Sequence, residues 1–178
     1  NGDLKIIACG NATCTNGNLT NTVDDTDSVG NYTSIAIGTN GYPVISYYDS
    51  TNTALKIAAC GDASCSTGNT TTSIDSDGNV GLYTSIAIGT NGYPVVSYYD
   101  ATNTALKVVA CGNDNCSTGN TITPLDSDGF VGTDTSIVIG AHGNPVISYY
   151  DGPTNYDLKI LFCGRADCST QNIIQKIE

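Results

Sequence analysis

Apolar residues along this chain show no helical period. They fall into short runs such as SIAIG, PVISYYD and LKIAAC, divided by clusters of Gly, Asn, Asp, Ser and Thr. Short runs rich in β-branched and aromatic residues and bounded by turn formers predict β-strands. The runs recur. TSIAIGTNGYPVISYYD begins at Thr33, TSIAIGTNGYPVVSYYD at Thr84 and TSIVIGAHGNPVISYYD at Thr135, each 51 residues after the last. A second block reads LKIIACG from Leu4, LKIAACG from Leu55, LKVVACG from Leu106 and LKILFCG from Leu158. Its last step is 52 residues, because the loop after Asp151 reads GPTNYD where the others read STNTA or ATNTA. A fixed period of this length marks a tandem array of one supersecondary unit.

Each unit predicts four strands. In the first full copy they run from Ser34 to Gly38, Pro43 to Asp49, Leu55 to Cys60 and Thr70 to Asp75, with a tight turn at Thr39-Asn40-Gly41. Pro at the first position of a strand removes only a terminal hydrogen bond, and Asn-Gly suits the positive φ of a hairpin turn. Strands apolar on both faces are expected where both faces are covered. Four strands in about 51 residues is the size of a propeller blade. The expected fold is therefore all-β: a propeller-like array of four-stranded antiparallel blades, about 3.5 in number. A β-solenoid, with its shorter coils, and a string of small sandwiches are the alternatives. The whole of 1–178 reads as one array, divided into a half repeat, 1–28, and repeats 29–79, 80–130 and 131–178. An array that opens on the third strand of a unit does not close by itself, so copies of the chain, or the rest of a longer chain, are expected to supply the missing strands. Open sheet faces and edges invite such association. The absence of Met reads as the mark of a processed product or an excised segment.

Composition narrows the partners. The net charge of −11 with six scattered cations (Lys5, Lys56, Lys107, Lys159, Arg165 and Lys176) argues against nucleic acid or an anionic membrane surface, which need clustered Lys and Arg. No apolar run is long enough to insert into a bilayer. Eight cysteines fall as four C-x4-C pairs, Cys9/Cys14, Cys60/Cys65, Cys111/Cys116 and Cys163/Cys168. An even count at a repeated spacing predicts disulfides within each unit, and with them a secreted, extracellular or cell-surface location. Rings this small are expected to pin local turns more than to hold the fold together. Zinc would need four ligands where each unit offers two.

Other motifs carry weaker chemistry. The acidic loops Asp24-Asp25-Thr26-Asp27, Asp75-Ser76-Asp77-Gly78-Asn79 and Asp126-Ser127-Asp128-Gly129 make Asp75, Asp77, Asn79, Asp126 and Asp128 candidate Ca²⁺ ligands, the only cofactor the chain suggests; the full calcium-loop pattern is absent, and Asp and Gly are ordinary turn formers. The triplets Tyr47-Tyr48-Asp49, Tyr98-Tyr99-Asp100 and Tyr149-Tyr150-Asp151 are expected to serve packing and register, with Asp49, Asp100 and Asp151 facing Lys56, Lys107 and Lys159 across a hairpin. Their functional alternative is a glycan platform of Tyr48, Asp49, Tyr99, Asp100, Tyr150 and Asp151, tuned by the varying Tyr42, Tyr93 and Asn144. Asn11, Asn18, Asn31, Asn69 and Asn115 open N-x-S/T sequons. The sole His, His142, stands where other units have a turn Asn, and no triad, P-loop or Rossmann motif occurs. A glycoside hydrolase built on Asp pairs is the one enzymatic alternative.

The PVISYYD…LK…CxxxxC pattern resembles an uncharacterised family of secreted bacterial tandem-repeat proteins that look like β-propellers. The resemblance spans nearly the whole chain and implies fold and compartment without an activity. The expected function is a non-catalytic structural or adhesive extracellular protein, self-associating into a fibre or surface layer through open blade edges. A lectin-like carbohydrate-binding propeller comes second and the hydrolase third.

Overall fold

The computed structural model describes residues 2–153 and 155–177. They form fourteen strands and no helix: β1 (Leu4–Ala8), β2 (Leu19–Asp24), β3 (Val29–Ile37), β4 (Pro43–Asp49), β5 (Ala54–Ala59), β6 (Thr70–Asp75), β7 (Val80–Ile88), β8 (Pro94–Asp100), β9 (Ala105–Ala110), β10 (Thr121–Asp126), β11 (Val131–Ile139), β12 (Pro145–Asp151), β13 (Asp157–Phe162) and β14 (Ile173–Ile177). These make four antiparallel sheets in which chain neighbours pair: β1-β2, then β3 to β6, β7 to β10 and β11 to β14. The repeat is thus one four-stranded meander, preceded by a two-stranded sheet equivalent to its third and fourth strands.

The second and fourth strands of the first full unit lie where the apolar pattern puts them. The first starts five residues earlier, at Val29 rather than Ser34. The added segment, VGNYT, hides its strand character because its register shifts twice against β4. Gly30 and Tyr32 take positive φ there, 85° and 51°. Gly81, the next copy of Gly30, shows why Gly is required: a Cβ at that position would stand 2.6 Å from the Leu55 Cα of the preceding sheet. In the β3-β4 turn the positive φ falls on Gly41 alone, while the Asn40 side chain accepts the Tyr42 N–H at 2.9 Å.

Successive sheets pack face against face, and β3, β7 and β11 lie side by side. The core is three clusters, one per junction. Leu4, Ile6, Val29, Ile45 and Tyr47 fill the first, Leu55, Ile57, Val80, Val96 and Tyr98 the second, and Leu106, Val108, Val131, Ile147 and Tyr149 the third. At about 1.5–3 kcal/mol for each fully buried large side chain, these clusters are the main attraction between units.

The Thr-Ser of each TSI motif pins one unit to the next. Thr84 Oγ1 donates to the Tyr32 carbonyl at 3.0 Å and shares a hydrogen bond with Ser46 Oγ at 2.7 Å. Ser34 Oγ accepts the Ile86 N–H at 3.2 Å. Thr135, Ser97, Ser85 and Ile137 repeat the set one unit on.

Candidate functional site

One buried polar constellation recurs at each junction. Tyr47 Oη and Lys56 Nζ both donate to Asp24 Oδ2 at 2.6 Å. Tyr98 and Lys107 do the same to Asp75 at 2.7 and 2.5 Å, and Tyr149 and Lys159 to Asp126 at 2.8 and 3.2 Å. The acceptor Asp closes the last strand of one unit, and both donors belong to the next. The cross-strand partners expected for the lysines are present but longer in the first two units, Lys56–Asp49 at 3.7 Å and Lys107–Asp100 at 3.6 Å, and comparable in the last, Lys159–Asp151 at 3.1 Å. Asp49 is mainly a turn cap, accepting the Thr51 and Asn52 N–H groups.

Electrostatics follow from this geometry. Burial alone would raise the Asp24 pKa, but hydrogen bonds from Lys56, Thr26 and Tyr47 override it and hold it at about 2. Asp75 is likewise lowered, with Lys107 and Tyr98 outweighing desolvation. Tyr47, Tyr98 and Tyr149 are pushed well above the ordinary phenol value, first by burial and then by the carboxylates they face.

The residues that the sequence singles out fall around these latches. Asp75 and Asp126 are inside them, Asp77 and Asp128 are exposed, and Asn79 Oδ1 accepts the Tyr48 hydroxyl at 2.7 Å. Among the described residues no three or more acidic, Cys or His side chains gather as a metal ion would require. Tyr48, Asp49, Tyr99, Asp100 and Asp151 are buried and Tyr150 half-buried, so the triplets present no run of open ring faces. Tyr42 and Tyr93 are exposed beside the hairpin turns and Asn144 is half-buried. His142 is an exposed turn residue.

All four cysteine pairs, Cys9–Cys14, Cys60–Cys65, Cys111–Cys116 and Cys163–Cys168, are disulfides within their units, with Cα–Cα distances of 4.8–4.9 Å. Three of the four pairs also reach beyond the local turns they close. Cys60 and Cys65 belong to the first junction cluster, Cys111 and Cys116 to the second, and Cys163 and Cys168 to the third. Cys65 is 1% exposed, and Cys116 and Cys168 are wholly buried. The second Cys of each pair takes positive φ, 52–54° at Cys14, Cys65, Cys116 and Cys168, in a tight loop, and the last three of these loops pack into the junction with the preceding unit. These sulfurs are therefore core atoms as well as cross-links, and only Cys9 and Cys14 stay exposed.

Each loop is clasped by an Asn four residues after the second Cys. Asn18 Oδ1 accepts the Gly10 N–H and its Nδ2 donates to the Cys14 carbonyl; Asn69, Asn120 and Asn172 do likewise. The clasp explains why Asn persists at 120 and 172, where the sequon is lost. Of the other sequon residues, Asn11 is exposed and bonded to Thr13 and Thr15, Asn31 donates to Ser50, and Asn115 is half-buried.

One grouping escapes sequence reasoning. Tyr32, Tyr83 and Asp134 occupy one repeat position and all take positive φ, 51–53°. A bulge on each first strand turns them into a common groove of about 270 Å³, floored by Thr33, Thr84 and Thr135. The Tyr32 and Tyr83 rings lie 4.6 Å apart, tilted, and each meets Tyr48 or Tyr99 edge-on. A left-handed conformation at a bulky residue costs about 1–3 kcal/mol, and such outliers concentrate at binding surfaces. The signal in the sequence is variation: Tyr, Tyr and Asp stand directly before an invariant Thr-Ser.

Among the described residues, apolar side chains of the first two sheets and of the fourth are exposed. Leu55, Leu106 and Leu158 are one repeat position; the first two are fully buried by the next sheet and Leu158 is 47% exposed. Val138, Phe162 and Ile177 are exposed with it in the fourth sheet. In the first two sheets Ile7, Ile35 and Ile37 are exposed.

No family model matches the chain, and no curated protein matches it.

Proposed function

We propose that this chain is a non-catalytic, extracellular structural or adhesive repeat protein, that its units are arranged as blades of a propeller-like arc, and that copies associate through the uncovered sheet faces. The observation that carries this reading is the fourth sheet, which shows to solvent the apolar face that the second and third sheets bury. Contiguous apolar surface of this kind marks interaction sites. A face that fits a different face of an identical chain makes a head-to-tail contact, and such contacts grow into rings or fibres. The four disulfides support an oxidising compartment.

Sedimentation velocity across a concentration series tests it. The unmodified chain is expected to form concentration-dependent assemblies, and Val138→Asp with Leu158→Asp to reduce them to monomer. A monodisperse monomer at every concentration for both proteins overturns the reading.

The Tyr32/Tyr83/Asp134 groove favours a second reading, a lectin-like module. Adjacent rings suit the apolar face of a sugar and a carboxylate accepts from its hydroxyls. Glycan-array hits, with and without calcium, that vanish in Tyr83→Ala would support it, and an array without hits would remove it.

A further inference from the structure

We infer that the groove formed by Tyr32, Tyr83 and Asp134 takes the guanidinium of an arginine side chain presented by a protein partner. The groove is built between units. β3, β7 and β11 lie side by side, and each contributes one side chain from the same repeat position. The threonine pins fix these side chains relative to one another. Thr84 Oγ1 donates to the Tyr32 carbonyl at 3.0 Å and Thr135 Oγ1 to the Tyr83 carbonyl at 2.9 Å. Asp134 is thus held beside Tyr83 by the residue that follows it. Tyr83 has a unit on either side, so the centre of the groove is interior to the array. Tyr32 and Asp134 are both exposed and open to a ligand.

Charge and shape select the ligand. The lining holds a carboxylate and two phenol rings but no Lys or Arg. Lys56, Lys107 and Lys159 are committed to the latches, Lys5 to Asp3 and Lys176 to Asp157. Among the described residues Asp134 pairs with no cation, so its charge is left for a partner on a chain of net charge −11. Burial, the neighbouring Tyr32 and the Asp134 carboxylate push the Tyr83 phenol above its ordinary value. Tyr83 therefore stays neutral at physiological pH, and its ring face keeps the electron density that attracts a cation within about 6 Å. The Tyr32 and Tyr83 rings stand 4.6 Å apart at 46° to each other. They form the walls of a wedge, where a flat sugar-stacking platform would need one open face. A guanidinium is planar and weakly hydrated. It can lie against one ring while its N–H fork donates to a carboxylate. An ammonium has no such plane, and a neutral sugar brings no charge to Asp134.

This inference is independent of association through sheet faces, and it competes with the lectin-like reading for one groove. The test titrates the intact chain with a capped Gly-Arg-Gly peptide and with its neutral citrulline analogue, following the tyrosine ring signals by NMR at physiological salt, which screens non-specific attraction. Saturable shifts are expected at Tyr32, Tyr83 and their edge-on neighbours Tyr48 and Tyr99. The citrulline peptide should bind at least about tenfold more weakly, because it loses both the ring attraction and the ion pair. Asp134→Asn should weaken the Arg peptide by about the same factor, and Asn tolerates the left-handed backbone of this exposed position, so the fold is kept. Tyr83→Phe retains the ring and should leave affinity unchanged. Asp114→Asn removes an equal charge at the other end of the strands, where the Cys111 N–H meets the Pro94 carbonyl, and should also leave affinity unchanged. Equal binding of the two peptides, or equal losses in Asp134→Asn and Asp114→Asn, overturns the inference. Glycan-array hits that vanish in Tyr83→Ala, with the Arg peptide leaving the rings unshifted, overturn it in favour of the lectin-like reading.

Discussion

β8 and β12 differ by one methylene in sequence, PVVSYYD against PVISYYD, yet live in different surroundings. Every residue of β8 is buried, whereas β12 alternates between buried and half-buried positions. The difference lies in how each sheet is covered. β8 is sandwiched between the sheets before and after it, while among the described residues β12 is covered by a sheet on one face. Two-sided apolarity in these strands is therefore a property of the junction, and each sheet gains its stability from its neighbour, as expected of a nearest-neighbour array. The same contrast separates the interior latches from the exposed Lys5 at the first sheet.

The largest test of this contrast removes a latch. Asp75→Ala leaves the Tyr98 hydroxyl without its acceptor and Lys107 with the longer Asp100 contact alone. Breaking a buried pair from one side should cost about 3–5 kcal/mol in denaturant unfolding. Lys5→Ala removes an exposed pair and should stay within about 1 kcal/mol. Equal losses would mean that the latches do not hold the units together.

Next comes one repeat position in two settings. Leu106→Ala empties a fully buried site and should cost about 2–5 kcal/mol. Leu158→Ala trims a half-open side chain and should cost under about 1 kcal/mol in dilute solution. A rise in the Leu158→Ala cost with protein concentration would show the open face being covered by another copy.

pH probes the latches without mutation. Asp24 and Asp75 have lowered folded pKa values, so between the unfolded value near 3.8 and the folded value, about 2 for Asp24, the unfolded chain binds more protons. Stability is present above pH 4 and falls as pH drops through that window, by about 2 kcal/mol from Asp24 alone. The latch tyrosines act in the opposite direction. Their folded pKa values are raised, so the unfolded chain loses protons first, and stability declines as pH rises above 10. Unfolding free energy measured against pH should show a plateau between these limits. Tyr98→Phe should flatten the alkaline limb by about 1.4 kcal/mol per pH unit.

Much of this architecture is legible in the sequence. Strand identity, the meander and the disulfide pairing follow from local pattern, and a period of 51 residues writes that pattern several times over. Local pattern matches Lys56 to Asp49 because they flank one hairpin; its shorter contact, Asp24, lies 32 residues away in the preceding unit and no local rule reaches it. The burial of Cys65, Cys116 and Cys168 is equally a property of the junction, which loop length does not encode. The VGNYT segment reads as loop because bulges break strict alternation, and this conceals the Tyr32/Tyr83/Asp134 groove. Asn18 and Asn69 read as sequons, although Asn120 and Asn172, which keep the Asn and lose the sequon, point to a structural role.

The smallest contrast concerns two disulfides of identical loop length. Cys111 and Cys116 are buried in the junction between the second and third sheets, while Cys9 and Cys14 are exposed beside the first. By chain entropy alone each bridge contributes about 2 kcal/mol. Replacing both cysteines of a pair by Ala separates that shared contribution from packing. Cys9→Ala with Cys14→Ala should cost no more than the entropic amount. Cys111→Ala with Cys116→Ala should cost about 1–2 kcal/mol more, because two sulfurs leave the core. Exposure sets the order of reduction too. In the native protein under mild reductant, mass spectrometry with thiol alkylation should find Cys9 and Cys14 labelled first, since a thiolate can reach that sulfur without opening a junction. Simultaneous labelling of both pairs would show that the junctions open as readily as the end of the array frays, and would remove the distinction between interior and end.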